Sequence, residues 1–267
     1  MASIRIGYSS LSDAATLSAG SWAAGLPLAN LKTDALHEVA RSTDDALAST
    51  KVTIDFGAAT SIGALMAGPT NLSAAALFRV RGSTSNTFPD GYTSGWLGHG
   101  VAAADMDAER PINIIHVLAA AQSYRYWQLE IDDTVNVDGY VEIGRLFMPK
   151  LLAPTVNYGY GRNGLAWEDR TRREETIGGV SNRSRRRNRR IFNFGIEYLP
   201  DSEAFGTPYQ FEATAGFDKL IFVIPDPDKT GAELQARSMW GTVREMDPIS
   251  QVAFGVSGVG LTIREEW

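Results

Sequence analysis

The 267-residue chain has no cysteine and only three histidines. The absence of cysteine excludes disulfides, thiolate nucleophiles and cysteine-ligated metal sites. None of the histidines, which are His37, His99 and His116, stands at zinc-ligand spacing from another, and no HExxH motif occurs. The sequence also lacks a Gly-x-Ser-x-Gly elbow and a glycine-rich phosphate loop. We therefore predict that the chain is not an enzyme and has no cofactor.

Carboxylates are the remaining candidates for a metal site. Asp226 and Asp228 stand in the stretch DPDKTG, which could form a calcium-type loop because hard cations take clustered acids. We favour a β-turn fixed by Pro225 and Pro227. We therefore expect no bound metal ion.

The chain also lacks long apolar runs. No stretch approaches 18 apolar residues, so we expect no membrane anchor. The first ten residues, MASIRIGYSS, contain no apolar signal-peptide segment. Hydrophobic residues nevertheless make up 44% of the chain, which is enough for one large core or two ordinary ones.

Long helical periodicity is scarce, and short strand patterns lie between turn signals. In YRYWQLEID (124–132), Arg125, Trp127, Leu129 and Ile131 fall on one face, while the tyrosines, Gln128 and Glu130 fall on the other. We expect Arg125 to pair with an acid across the sheet. This pattern is typical of an all-β protein.

A stretch rich in proline and glycine, residues 148–164, separates two halves of the chain. It predicts one domain over residues 1–150 and a second over residues 151–267. In the first half, INIIHVLAAAQS (112–123) is interpreted as a strand that leads into an alanine-rich loop. The second half is interpreted mainly as strands, including GTPYQFEAT (206–214), with a short helix near residues 202–205.

Several stretches of the first half resemble the galactose-binding-like (discoidin, F5/8 type C) jelly-roll β-sandwich in their order and spacing. The stretches are LPLANLKTD, EVARSTDD, TKVTIDFGAATSIGALMAGPTNLS, FRVRGSTSNTF, YRYWQLEIDD and VDGYVEIGRLFM. The resemblance implies loops that bind sugars or lipid head groups. On the loop of residues 85–100, Tyr92, Trp96 and His99 are the candidate glycan or protein contacts. The alternative is that these rings pack the loop or contact a neighbouring subunit, with His99 exposed to solvent.

The second half resembles the distal-tail and baseplate components of tailed phages, through RRRNRRIFNFGIEYLPDSEA, GTPYQFEAT, DKLIFVIPDPD and MWGTVREMDPI. The resemblance implies a β-sandwich or barrel of tail-ring type that assembles as a homo-oligomeric ring, expected to be a hexamer. Such a ring would extend the tail tube in the virion and contact the tube, the hub and the fibres. DNA would only pass through its lumen. Many distal-tail proteins place the ring domain first, whereas here the sandwich comes first.

The segment RSRRRNRR (183–190) holds six arginines in an acidic protein. Residues 162–190 carry a net charge of +6 and the rest of the chain −12, within a total of −6. An acidic body repels nucleic acid, which argues against phosphate binding, and a flexible basic loop remains an alternative. We favour a strand at a subunit interface, where acidic surfaces of another copy supply the counter-charge. The predicted interface residues are Arg183, Arg185, Arg186, Arg187, Arg189 and Arg190.

Two functions follow from these observations. The first is a structural component of a phage tail tip or baseplate. The alternative is a carbohydrate-binding adhesin module that is unrelated to tail assembly. A glycan-active enzyme with a binding module is a third hypothesis.

Overall fold

The computed structural model describes residues 2–106, 112–161 and 163–267. Within these residues the secondary structure is mainly β, which confirms the all-β prediction. Three short α-helices accompany the strands: α1 (Asp201–Ala204), α2 (Thr207–Ala215) and α3 (Gly231–Arg237). The strands are β1 (Arg5–Ser10), β2 (Thr16–Ser18), β3 (Ala40–Arg41), β4 (Val52–Thr70), β5 (Leu77–Ser83), β6 (Tyr92–Thr93), β7 (Leu97–Gly98), β8 (Ile112–Asp132), β9 (Glu142–Phe147), β10 (Pro149–Leu152), β11 (Asn163–Glu168), β12 (Arg172–Glu175), β13 (Ser181–Ser184), β14 (Arg189–Pro200), β15 (Ile221–Ile224), β16 (Met239–Met246), β17 (Ser250–Ala253) and β18 (Val256–Glu265).

The first sheet has the order β3-β9-β4-β8-β5-β6, with β2 on β4 and β7 on β5. Its two long strands, β4 and β8, pair along most of their length and are interrupted by irregularities at Asp55/Thr60, Ile62/Ala64 and Ala67/Thr70. Such bulges bend a strand, so the sheet curls around its own apolar core. The alanine-rich part of 112–123 stays within β8, because Val117 and Gln122 on either side of it pair with β4, and the alanines lie at the irregularity between them.

The sandwich core has the residues that strand alternation predicts. Trp127, Leu129 and Ile131 of β8 are fully buried, and so are Val52 and Ile54 of β4. The opposite face of β8 is polar and carries Gln128 and Glu130. Alternation therefore identified the inward face correctly from Trp127 to Ile131. Arg125, which the same alternation places on that face, is instead exposed.

The second sheet has the order β10-β1-β15-β16-β18-β14-β11, with β17 on β18. Its edge nearest the sandwich contains the first strand of the chain, because β1 pairs with both β10 and β15. The predicted boundary at residue 150 therefore falls inside β10, and residues 5–10 lie outside the sandwich. The sandwich is inserted between β1 and β10, so the second sheet begins before it in the chain. Ile4, Ile6 and Tyr8 alternate into the second core, which is why β1 joins this sheet.

The segment 206–214 is helical, although a strand was predicted there. Pro208 lies in the first turn of α2, where its missing N–H costs no hydrogen bond. Pro208, Phe211 and Ala215 are buried at intervals of three and four residues, which is one face of a helix. Phe211 meets Tyr8 edge-on, with ring centroids 5.4 Å apart. The short helix predicted near residues 202–205 is present as α1.

A third apolar cluster joins the two sheets. Trp240 packs edge-on against Phe222 and Phe147, with ring centroids 4.7 and 5.5 Å away. Phe147 belongs to the first sheet, and Phe222 and Trp240 belong to the second. The four residues of β15 are all buried because Ile221 and Val223 face one core and Phe222 and Ile224 face the other. The run IFVI thus has no polar alternation because neither face of the strand meets water.

Candidate functional site

The loop of residues 84–100 is held against the edge of the first sheet at two points. β6 pairs with β5 through Gly82 and Tyr92, and β7 pairs with it through Phe78 and Leu97. Gly91 adopts φ +105°, and a Cβ at this position would lie 2.2 Å from the carbonyl oxygen of Gly82. Only glycine fits this close approach. The loop is therefore fixed on both sides of Trp96.

Tyr92 packs inside the loop. Its hydroxyl lies 2.7 Å from Nε2 of His116, and its ring centroid is 6.0 Å from that of Trp127. Burial raises the pKa of the Tyr92 hydroxyl and lowers the pKa of His116. The two groups are thus a neutral, hydrogen-bonded pair at the edge of the core. Tyr92 therefore packs the loop, which is the alternative to ligand contact given above for these rings.

His99 is buried, with 6% of its surface exposed, although solvent exposure was expected. Its Nδ1 accepts a hydrogen bond from the N–H of Val101 at 3.2 Å, and its Nε2 donates to the carbonyl oxygen of Ser73 at 2.8 Å. These two bonds need a neutral ring with its proton on Nε2. His99 ties the loop to the 71–76 turn, so the expectation of exposure was wrong.

Trp96 is exposed to 37% and is the ring of the three that a ligand could reach. The guanidinium carbon of Arg79 lies 4.6 Å from the centroid of its ring. This cation–π contact holds the indole over the outer face of β5. Trp96 is therefore an exposed aromatic platform in a fixed orientation.

Charged groups surround the base of this platform. Arg79 binds Glu130 through Nε and Nη2, each 2.5 Å from the same carboxylate oxygen. Nζ of Lys51 lies 3.6 Å from the other oxygen of Glu130. Glu130 is 2% exposed, whereas the side chains of Arg79 and Lys51 are 28% and 32% exposed. We call Trp96, Arg79, Glu130 and Lys51 the Trp96 site.

The polar face of the sheet continues beyond this site. Gln128 donates to Oγ1 of Thr53 at 2.9 Å. Further along, Arg125 binds both carboxylate oxygens of Asp55, at 2.8 and 2.9 Å, which confirms that it pairs with an acid across the sheet. Hydrogen bonds from Arg125 and from the Gly57 N–H, together with the positive charge of Arg125, lower the pKa of Asp55. The face is therefore a row of paired polar groups that ends at Trp96.

The turns beside the Trp96 site are fixed by a buried carboxylate. Asp133 is 1% exposed and accepts hydrogen bonds from the N–H of Ser73 and from Nδ2 of Asn136, both at 2.9 Å. Asn136 in turn donates to the carbonyl oxygen of Asn71 at 3.1 Å. The site is therefore built on a rigid support, which keeps the entropic cost of ligand binding low.

Sequence reasoning identified Trp96 but missed Arg79 and Lys51. Alternation could have found Arg79, because Phe78 and Val80 point into the core and Arg79 must point outward. The strand register then places it opposite Glu130. The position of Trp96 over Arg79 depends on how the loop folds back, which no local pattern encodes.

The arginine segment is divided among three environments. Arg183 lies in β13, and Arg183, Arg185 and Arg186 are exposed. The guanidinium carbon of Arg187 lies 3.3 Å from the centroid of the Trp267 ring, and Arg189 pairs with Glu266 at 3.2 Å. Arg187 and Arg189 are therefore at least partly engaged within their own chain.

Arg190 differs from its predicted role at a subunit interface. It is 6% exposed, and its Nε donates to Oε1 of Glu265 at 2.7 Å, while its backbone N–H donates to Oε2 at 2.9 Å. Nη1 donates to the carbonyl oxygens of Gln235 and Ala236, at 3.2 and 2.5 Å. The side chain points inward because Arg190 has the same strand parity as Phe192 and Phe194 of the second core. Its guanidinium is fully used within the chain.

A cavity of about 300 Å³ lies where the two sheets meet. Its polar lining groups bind one another. Trp240 Nε1 donates to Oδ1 of Asn113 at 2.8 Å, and Gln235 exchanges hydrogen bonds with the backbone of Asn113. These groups are occupied by structural contacts, whereas the buried Nε1 of Trp267, also in the cavity wall, has no hydrogen-bond partner among the described residues.

The described residues contain no group of three or more His, Asp or Glu side chains that could hold a metal ion. No helix in the described part of the chain has the length and apolar character needed to cross a membrane.

Asp226 accepts a long hydrogen bond from the N–H of Asp228, at 3.3 Å, within the DPDKTG turn.

No family model matches the chain, and no curated protein matches it. Among solved structures, it is similar to the crystal structure of SpGH29, with 14% identity and a TM-score of 0.39 over 54% of this chain and 28% of that one. It is similar to a fucose-binding module of Streptococcus pneumoniae, with 11% identity and a TM-score of 0.36 over 54% and 98% of the two chains. It is also similar to a fucolectin from the serum of Morone saxatilis, with 8% identity and a TM-score of 0.38 over 97% of each chain. The chain spans about a quarter of SpGH29, and at these scores the likenesses assign no function.

Replacing Arg190 with methionine should lower the free energy of unfolding by about 3–5 kcal/mol, because it leaves the buried carboxylate of Glu265 without its partner. Chemical denaturation measures this change. Arg186→Met is the matched control: this arginine is exposed, so the loss should stay within about 0.5 kcal/mol. Equal effects of the two substitutions would contradict the assignment of Arg190 as an internal residue.

His116 should make stability depend on pH. Because burial lowers its folded-state pKa, the unfolded chain binds more protons below about pH 6.5. The contribution is therefore fully present above that pH and is lost as the pH falls below it. His116→Gln should show a smaller decrease of Tm between pH 7 and pH 5 than the wild type. Parallel Tm profiles for the two proteins would contradict this.

Proposed function

We propose that the chain is a carbohydrate-binding protein whose contact surface is the Trp96 site. The proposal depends on one observation, an exposed indole held in place over a guanidinium beside a buried carboxylate. A sugar ring has an apolar face of C–H groups and a rim of hydroxyls. An aromatic ring can cover the apolar face, while charged side chains exchange hydrogen bonds with the rim.

The charged groups of the site suit this role. Arg79 and Lys51 are partly exposed and share the buried carboxylate of Glu130, so hydroxyl groups would meet the two donors while Glu130 holds them in place. The two cations share one carboxylate, so the site keeps a net charge of +1 beside the indole. A polyhydroxylated ligand, neutral or acidic, therefore fits the site.

The site supports binding without turnover. Two paired cations surround its single carboxylate, whereas glycoside hydrolysis uses two carboxylates placed on opposite sides of the bond that is broken. The rigid turns below it favour a preformed surface. We therefore infer a binding module, in agreement with the adhesin alternative drawn from the sequence.

Trp96→Ala should weaken glycan binding by about tenfold to a hundredfold, because it removes the central aromatic contact. A glycan array followed by titration calorimetry on the best ligand measures this. The panel should include fucosylated glycans, since one of the similar structures is a fucose-binding module. Arg79→Met should weaken binding as well, because the indole loses its support.

Trp167→Ala is the matched control, because Trp167 is likewise an exposed tryptophan, at 50% against 37% for Trp96, but lies on the second sheet. Its glycan affinity should equal that of the wild type. The proposal fails if the wild type binds no glycan on the array, or if Trp96→Ala binds as tightly as the wild type.

A second candidate function is the structural tail-tip role predicted from the sequence. It is supported by a projecting pair of strands, β12 and β13, whose eight residues are all exposed and pair only with each other. Isolated two-stranded units are marginally stable in water, and assembly can cover them.

Mass spectrometry of purified tailed-phage particles from the organism that carries the gene tests this second candidate. We expect the chain in those particles, in a constant ratio to the tail-tube protein. Its absence from particles that contain their other tail proteins would overturn the tail-tip role and leave the carbohydrate proposal unaffected.

A further inference from the structure

The segment of residues 172–186 projects from the protein as a two-stranded ribbon, here called the ribbon. All of its residues are exposed. Its strands continue the β11–β14 pair outward, since Glu168 faces Arg189 in that pair and Arg172 faces Ser184 in the next. At its tip the side chain of Ile177 is fully exposed. Burial of apolar surface within its own chain therefore contributes no stability to the ribbon.

The ribbon carries an electrostatic conflict. Arg173 and Arg183 stand directly opposite each other across the two strands. Like charges in this position destabilise a strand pair. The other face of the ribbon is balanced, because Arg172 pairs with Glu174 at 2.5 Å. The Arg173–Arg183 face holds one acid, Glu175, so it keeps a net charge of +1 and favours negative charge from outside the ribbon.

The outer face of the second sheet offers a complementary surface. A groove of about 370 Å³ runs over β14, β18 and the end of β16, and we call it the trough. Its floor contains Gly195 and Gly260, which are paired across β14 and β18 and carry no side chains. The described lining residues include three carboxylates and no basic group; the acids are Glu197, Glu245 and Asp247.

The glycine floor is shaped by its acidic rim. The carboxylate of Asp247 lies directly above Gly260, where an added Cβ would be 2.3 Å from Oδ2. Glu245 and Asp247 are both exposed. The Asp247 side chain therefore covers Gly260, and the exposed carboxylates of the trough supply counter-charge to arginines.

The ribbon and the trough of one chain are separate from each other. The ribbon joins β14 at Arg189, the start of the strand, whereas the trough lies along Asn193–Glu197 and beyond. Complete exposure of residues 172–186 shows that the ribbon does not cover its own trough. A contact between the two surfaces must therefore join different copies.

We propose that the ribbon of one copy binds in the trough of a second copy, with Arg173 and Arg183 facing Glu245 and Asp247. The contact uses different surfaces on the two partners, so it is head-to-tail and generates a ring or a filament. It is independent of carbohydrate binding, because the Trp96 site lies on the first sheet. Of the six arginines predicted at the interface, it keeps Arg183 in the contact, and it leaves the buried Arg190 out.

Light scattering after size exclusion tests the proposal on the full chain, at low and at high salt. The wild type should self-associate at low salt and dissociate as salt is added. The ribbon variant R173E/R183E and the trough variant E245R/D247R should each associate at least about a hundredfold more weakly, because like charges would meet across the contact. Far-UV circular dichroism checks that both variants are folded.

Mixing the two variants is the decisive measurement. The basic ribbon of the trough variant can bind the acidic trough of the ribbon variant, and the acidic ribbon of the ribbon variant can bind the basic trough of the trough variant. The mixture should therefore form heterodimers and larger assemblies in which the two variants alternate, whereas each variant alone stays dissociated. The matched control K150E/K219E changes the net charge equally on two exposed lysines away from both surfaces, and it should associate as the wild type does.

Other outcomes overturn the proposal. A wild type that stays monomeric at low salt, or a mixture that forms no heterodimer, would show that the two surfaces do not bind. If the ribbon variant associates normally but loses binding to a short DNA duplex, the ribbon is a nucleic-acid arm. Trp96→Ala should associate as the wild type does, so a failure on the glycan array leaves this result intact.

Discussion

The antiparallel pairing of β1 with β10 is the constraint on which the two-part structure depends. The chain leaves the second sheet at Ser10, builds the whole sandwich, and returns to the neighbouring strand at Pro149. Both connections to the sandwich therefore leave from adjacent strands. The packing of Trp240 against Phe147 and Phe222 adds a third point of contact. Three attachments, two of them covalent, fix the sandwich on the sheet and hold the Trp96 site apart from the ribbon.

Much of the sandwich was predictable because apolar and polar side chains alternate along its strands. Val52 and Ile54, and Trp127 and Leu129, point inward in the manner that their spacing indicates. The membership of β1 was not predictable, because a single alternating strand does not reveal its partner, and β15 lies more than 200 residues away. The helix α2 was mistaken for a strand because its buried residues are few and its aromatic content favours β-structure.

Sequence reasoning found only part of the candidate site. Residue type pointed to Tyr92, Trp96 and His99 alike, but exposure separates them. Tyr92 and His99 are used by the loop for its own hydrogen bonds, and only Trp96 remains accessible. In the arginine segment, likewise, charge alone could not distinguish the buried Arg190 from its exposed neighbours. Both corrections come from tertiary contacts, which composition does not encode.

The insertion also sets an order of events during synthesis. Residues 11–148 are contiguous, so the sandwich has all of its strands once the ribosome has released Phe147. β1 is made first, yet its place between β10 and β15 needs both strands, so Ile4 and Ile6 stay without a core until residues 221–224 emerge. Domains fold as units during translation, and contacts of large sequence separation form late. The first strand to be made is therefore among the last to be buried, and until then its apolar face stays exposed.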